Sequence, residues 1–345
     1  MKTFELSDEI KKCETPEINS LIQQIELYRG MSFSLPKGKK INRLHERSKR
    51  WSTTSSNAIE SIKIDSKREE EILGSNVSPS TYEEFMIRGC NDALSIVFLV
   101  YKYQSLDEDF ICRLHKTMYE GWNPEFGGSY KYQQNYIKSM DVDGNESIVF
   151  MPPSAEDTRP LMGNLLYQFG LEAGKPTTNR LVLIFDFILN FLCVHPFQDG
   201  NGRVSRLLTT FLLLKAGYEL DQYYSLSYLI LNHIDDYYSS LNQSDQGWKE
   251  NKNNPVPFVS YSLLRLLEGY QKLNYILKTN SGEGTCADKC LGVINGSSKP
   301  ISKANIEEVL YSYSRDSIEK ALKGLIKEKL VQLVQRGHYS LYYKL

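Results

Sequence analysis

The fourteen residues from Leu181 to Val194 contain two polar side chains, Asp186 and Asn190. A helix this apolar on every side has to be covered all round, and it is shorter than the ~20 residues that a bilayer span needs. It predicts a buried central helix with other helices packed around it, in a chain that does not cross a membrane. The chain can supply that cover. It has 345 residues, 41% hydrophobic and 24% charged, an ordinary globular composition. Its length sets a prior of about two domains. With 41 basic and 42 acidic side chains the net charge is −1, which argues against a dedicated polyanion binder.

The N-terminus, Met1 to Ser20, is charged throughout and has no apolar core, so it is not expected to act as a secretory signal. The six cysteines are scattered, which fits reduced thiols and a cytoplasmic location. Cys286 and Cys290 lie four apart but lack a second pair for zinc. A basic run from Lys37 to Arg50 holds seven Lys/Arg against Glu46; it reads as a solvated helix face or, less simply, a contact for a partner or nucleic acid.

Further helices are expected over Ser56–Ile64, Ser78–Tyr103 (Ser78 as N-cap, Pro79 as first residue), Asp107–Tyr119, Ser154–Glu172, Asn179–Val194, Gly202–Ala216, Tyr228–Leu241 and Val256–Leu277. Asp143-Gly144-Asn145, within Tyr130–Phe150, signals a β-hairpin. Thr279–Gly284 reads as a linker. Beyond it come helices over Ser302–Leu310 and Arg315–Leu330. Two short strands, Val331–Val334 and Tyr339–Tyr343, follow across Arg336-Gly337. That order is the pattern of a winged helix-turn-helix. This tail is mildly basic, nine Lys/Arg against five Asp/Glu from Lys299 to Leu345.

The segment His195-Pro196-Phe197-Gln198-Asp199-Gly200-Asn201-Gly202-Arg203-Val204-Ser205-Arg206 carries the chemistry. Pro196 blocks simple continuation of the apolar helix. Two glycines then open a new helix, whose N-terminus, exposed N–H groups and partial positive charge suit phosphate. Arg203 and Arg206, three apart, share a helical face, and each offers a planar fork for phosphate oxygens. Asp199 is placed to hold Mg2+ on phosphates, and His195 titrates in the range of a general base. A Walker A ending is absent.

These twelve residues resemble the signature of the Fic family, HPFxDGNGRxxR, at every fixed position. The resemblance extends over about Ile62–Tyr270 and implies a mainly α fold, a Fic-type helical bundle with a β-hairpin flap. The implied division is 1–65 as an N-terminal inhibitory segment, 66–278 as catalytic core and 279–345 as linker and winged-helix module. It implies a protein adenylyltransferase that moves AMP from ATP, with Mg2+, onto a Ser, Thr or Tyr hydroxyl of a target protein or of itself. By position, His195 is the base, Asp199 the Mg2+ ligand, and the Gly200–Gly202 backbone with Asn201 the phosphate cradle. Arg203 holds the β-phosphate side and Arg206 the γ-phosphate. The target docks on the 130–150 flap, and a homodimer is the family-level expectation. Upstream, Ser56-Asn57-Ala58-Ile59-Glu60-Ser61 is similar to the family's inhibitory helix, Ser/Thr-x-x-x-Glu-Gly/Asn, with Ser61 departing at the last position. Glu60 paired with Arg206 would exclude the γ-phosphate. Tyr238, with Tyr237 as alternate, lies where relatives place an aromatic residue near the adenine. Lys131 stands where relatives often carry Arg.

Two other functions compete: a nucleotide-sensing regulator that binds DNA through the C-terminal module, and a Fic enzyme that removes AMP or uses another donor. His45, His115, His233 and His338 lack comparable surroundings and read as structural or exposed.

Overall fold

The computed structural model describes residues 2–32, 39–74, 77–140, 146–281, 283–335 and 340–345. In chain order the elements are α1 (Leu6–Lys12), α2 (Pro16–Ser32), α3 (Lys39–Ile59), α4 (Ser66–Leu73), α5 (Tyr82–Val100), α6 (Glu108–Tyr119), β1 (Ile137–Met140), β2 (Glu146–Phe150), α7 (Ala155–Gly174), α8 (Arg180–Val194), α9 (Asn201–Lys215), α10 (Leu226–Asn232), α11 (Ile234–Ser244) and α12 (Val256–Ser281). Then come α13 (Cys286–Asn295), β3 (Ile301–Ser302), α14 (Lys303–Val309), α15 (Arg315–Lys327), β4 (Val331–Gln335) and β5 (Leu341–Lys344). The fold is mainly helical, and no described helix is long and apolar enough to cross a membrane. Two compact units form: Met1–Glu26 with Ser48–Gly269, and Leu27–Arg47 with Tyr270–Leu345.

In the first unit α8 is the central element. Asn179 caps it by accepting from the N–H groups of Leu181 and Val182, and every residue from Leu181 to Val194 is buried. Its neighbours include α1, α7 and α9. On the other side of α9 lie α5 and α6, which approach closely because Gly89 lacks a side chain. A methyl group there would lie 2.1 Å from the Met118 carbonyl oxygen. That approach sets where the end of α6, and with it Tyr119, meets the start of α9. Strands β1 and β2 pair antiparallel, Ile137 opposite Phe150; the expected turn at Asp143-Gly144-Asn145 lies outside the described residues.

The second unit has its own core, built from Val293, Ile294, Ile306, Leu310, Ile318, Leu322 and Leu325 with Val331 and Tyr342 of the sheet. Sheet order is β3-β5-β4, both pairs antiparallel. Arg47 donates to the carbonyls of Glu307 and Glu308, and Arg43 to that of Ser312. This part of the basic run is therefore taken up by main-chain oxygens of the same unit.

Several expected boundaries differ. Ser56–Ile64 is not a separate short helix: Ser56–Ile59 is the last turn of α3. Helix α5 starts later than expected because Thr81, rather than Ser78, accepts from the Glu84 N–H. Ser80 is held outside the helix by Glu84, whose carboxylate accepts from its N–H and hydroxyl. Tyr228–Leu241 is broken at His233, where φ is −130° and ψ 42°. The first half of the expected linker, Thr279–Ser281, belongs to α12, and Thr285 just beyond it opens α13 with a reciprocal Thr285–Asp288 capping box.

Candidate active site

Helix α8 ends at His195, whose φ of 51° and ψ of 59° are left-handed, and α9 begins after Gly200, left-handed at φ 81°. The chain thus reverses within five residues. Glycine is required at 200, because a side chain there would press on the Tyr119 ring and hydroxyl at 3.0–3.2 Å. Asn201 closes the turn on itself: its side chain accepts from the Phe197 N–H and donates to the Phe197 carbonyl, both at 2.8 Å. Its amide is engaged with the loop, so any contact to phosphate falls to the neighbouring main chain.

The Leu192 carbonyl lies 3.2 Å from Nδ1 of His195. A carbonyl only accepts, so Nδ1 carries the proton and Nε2 keeps its lone pair. Burial pushes the imidazole down to about 4, so it is neutral near pH 7.

Two arginines one turn apart on α9 serve different neighbourhoods. Arg203, 1% exposed, donates to the Tyr119 hydroxyl at 2.7 Å and reaches Asp199 Oδ2 at 3.3 Å. Tyr119 in turn donates to Oδ2 at 2.6 Å, as Tyr82 does at 3.3 Å. Burial works to raise the Asp199 carboxyl, but Arg203, Tyr119 and the Gly200 N–H hold it below the usual range. The three side chains converge on Oδ2, and Oδ1 takes none of them. This arrangement fits Mg2+, which takes one or two carboxylates and leaves its other positions to phosphate and water oxygens. Among the described residues no group of three or more His, Cys, Asp or Glu forms a metal cage.

Arg206, 5% exposed, is held from the other side of the cleft. Its Nε donates to Ser56 Oγ at 2.8 Å, and Nη2 donates to the Ser56 carbonyl and Glu60 Oε1, both at 2.7 Å. Glu60 also lies against Gly202, where a Cβ would come within 2.2 Å of Oε1. The glycine therefore makes room for the carboxylate as well as for a ligand. Nε and Nη1 of Arg203 and Nη1 of Arg206 are buried without a hydrogen-bond partner among the described residues. Arg206 lines the cleft, and an unmet guanidinium donor there is what an anionic ligand would satisfy.

The cleft holds about 570 Å3 and is lined by Glu60, His195, Gly202 and Arg206, by Tyr136, Ile137, Val149 and Phe150 of the β1–β2 region, and by Tyr237, Tyr238, Leu241, Asn242 and Asp245. That size suits a nucleotide. Tyr237 is buried against Phe258 and Tyr261, whereas Tyr238 is exposed with its hydroxyl 3.5 Å from the Ile59 carbonyl. Ser61 has φ 61°. Its N–H donates to Ala58 and that of Ile62 to Asn57, the paired bonds of a Schellman turn. The position needs a left-handed residue, which is the physical reason Gly or Asn suits it.

Some residues here had no distinguishing pattern in the sequence. Tyr82 opens α5 and Tyr119 closes α6, and neither belongs to a motif. His115 is buried rather than exposed and joins the loop directly. Its ring stacks on Phe197 at 3.9 Å, Nδ1 accepts from the Gly128 N–H, and Nε2 donates to the Asp199 carbonyl.

Residues 105–213 match the Fic/DOC family. The chain is 25% identical over 235 residues to a protein adenylyltransferase Fic of Nematostella vectensis, which covers 66% of this chain and 51% of that one. It is 30% identical over 110 residues to the Drosophila mojavensis protein of the same name, covering 31% and 19%. The chain thus spans about half the length of the first relative and about a fifth of the second. Among solved structures, a Fic family protein from Desulfovibrio desulfuricans superposes with a TM-score of 0.62 at 20% identity, over 96% of each chain. A Fic domain containing signaling protein from Bacteroides thetaiotaomicron gives 0.61 at 23% identity, over 76% of this chain and all of that one. At those identities the likeness is one of fold. Glu60 and Tyr238 lie outside the matched segment, which contains the whole turn from His195 to Arg206: the chain carries a Fic domain at residues 105–213.

Proposed function

We propose that this chain is a protein adenylyltransferase held in check by Glu60. The observation that carries the reading is Arg206, gripped by Ser56 and Glu60 in the cleft that also contains His195. In the reaction, a Ser, Thr or Tyr hydroxyl oxygen bonds to the α-phosphorus of ATP, and the bond from that phosphorus to the bridging oxygen breaks. Pyrophosphate leaves and His195 Nε2 takes the hydroxyl proton. Its neutral state near pH 7 suits it to that role. Arg203 and the N-terminus of α9 face the phosphates, and Tyr238 borders the base. Bound Mg2+, held by Asp199, would neutralise phosphate charge. The β1–β2 strands are the flap against which a target segment lies. With Glu60 on Arg206, the γ-phosphate has lost its partner and meets a carboxylate instead.

The test is label transfer from ATP labelled on its α-phosphate. Glu60→Gly should raise auto-labelling at least about tenfold, the equivalent of roughly 1.4 kcal/mol, and Arg206→Ala in that background should reverse the gain. Equal labelling by Glu60→Gly and wild type would remove the inhibitory role. The C-terminal unit, with α13, α14 and α15 followed by the β4–β5 pair, supports a winged-helix reading. Its charges favour a protein-facing module over a DNA-binding one: Glu319 pairs with Lys323 and Lys303, and Glu307 with Arg315.

A further inference from the structure

Four successive carbonyls at the end of α8 are received by two residues from the segment before β1. Lys131 Nζ donates to Val194 at 3.2 Å and the Lys131 N–H to Pro196 at 2.8 Å. Asn135 Nδ2 donates to His195 at 3.3 Å and to Phe197 at 2.9 Å. Lys131 Nζ also donates to Asn135 Oδ1 at 3.0 Å, which orients the amide. Both side chains are buried, at 3% and 9% exposure.

The last carbonyls of a helix have no partner within it, and a left-handed non-glycine residue persists only where its surroundings over-determine it. Both conditions meet at His195. We propose that Lys131 and Asn135 are positioning residues for the proposed transfer reaction, holding His195 in its left-handed turn so that Nε2 faces the cleft. The inference rests on the adenylyltransferase reading for its kinetic arm but not for its structural one. A buried ammonium costs several kcal/mol to desolvate unless it is well partnered. Here both acceptors of Nζ are neutral oxygens, and one is a carbonyl at the negative end of α8. Lysine can occupy the place because the work is done on carbonyls; a fork for a carboxylate is not needed. Burial, with a smaller contribution from Lys249, lowers the ammonium to about 8.

Two measurements on Lys131→Met, Asn135→Ala and Lys131→Arg test this, with thermal melting to show that each variant is folded. In the Glu60→Gly background, Lys131→Met and Asn135→Ala should lower kcat for AMP transfer at least about thirtyfold, with KM for ATP changed less than threefold. Lys131→Arg should recover most of kcat, because it can donate to the same two oxygens. In the nucleotide-free protein, amide exchange at His195 and Phe197 should speed at least tenfold in the first two variants and little in the third. A Glu60→Gly protein that transfers no AMP defeats the functional reading and leaves the exchange arm to decide this one. Unchanged exchange at those two amides overturns the positioning role, as does an unchanged kcat in a protein that does transfer AMP.

Discussion

The ends of α3 and α8 solve one problem in two ways. Each helix stops at a left-handed residue that is not glycine, Ser61 at φ 61° and His195 at φ 51°. Such a conformation costs about 1 kcal/mol or more. At His195 the cost is met by Lys131 and Asn135, whose side chains, with the Lys131 N–H, take up the carbonyls of residues 194–197. At Ser61 the turn closes on local main-chain bonds, Ser61 to Ala58 and Ile62 to Asn57, and of the remote side chains Arg206 reaches the Ser56 carbonyl and Tyr238 that of Ile59. The turn at His195 is thus locked from outside by buried residues, while the segment carrying Glu60 is held by its own turn, by Arg206 and by the exposed Tyr238. A group that must keep its geometry through every cycle gains from the first arrangement. A group that must leave when ATP binds productively gains from the second.

Removing the locked residue should have the largest effect. His195→Ala should lower AMP transfer by about 10²–10⁴-fold, the usual contribution of a general base, with ATP affinity nearly unchanged. Transfer rate and calorimetric ATP affinity of the same variant check it, and transfer near wild type would take the base role away from His195.

The locked turn should also be the pH-sensitive one. Burial holds His115, 1% exposed beneath Phe197 and Asp199, at about 4, against about 6.5 in the unfolded chain. Between those values the unfolded state binds the extra proton, so stability rises with pH across the window and is level above it. Denaturant titrations should show His115 contributing a loss of about 3 kcal/mol as pH falls from above 6.5 to 4. In His115→Gln that part of the loss should disappear. An unaltered pH dependence in the variant would mean that His115 is not the titrating group.

The smallest effect is expected at the releasable end. Ser61→Gly keeps Glu60 and removes the strain. The chain should be stabilised by about 1 kcal/mol, and basal auto-labelling should fall about fivefold, the same energy expressed as a ratio. Higher labelling in Ser61→Gly would show that the turn promotes inhibition by its strain, the reverse of what is proposed.

The residues from Leu181 to Arg206 reveal much of their own role, because helix burial, the stop at Pro196, the glycine turn and the two arginines are all relations between near neighbours. The pairing of Glu60 with Arg206 was legible only through likeness to a family, since 146 residues separate them. Tyr82, Tyr119, His115 and Asn135 gave no sign, and Lys131 only its place where relatives often carry Arg. Each is an ordinary residue in an ordinary helix or loop, and what it does depends on which carbonyl or carboxylate the fold brings within hydrogen-bond distance. The break at His233 and the extension of α12 to Ser281 were missed for a related reason: helix ends are set by competing caps and packing as much as by composition. Sequence alone determined the turn, its charges and its central helix, because those follow from spacing along the chain. The tertiary structure alone decided which nitrogen of His195 is free, which oxygen of Asp199 is taken and what grips each arginine. Hydrogen bonds of that kind are chosen by distance in space, and distance along the chain does not fix it.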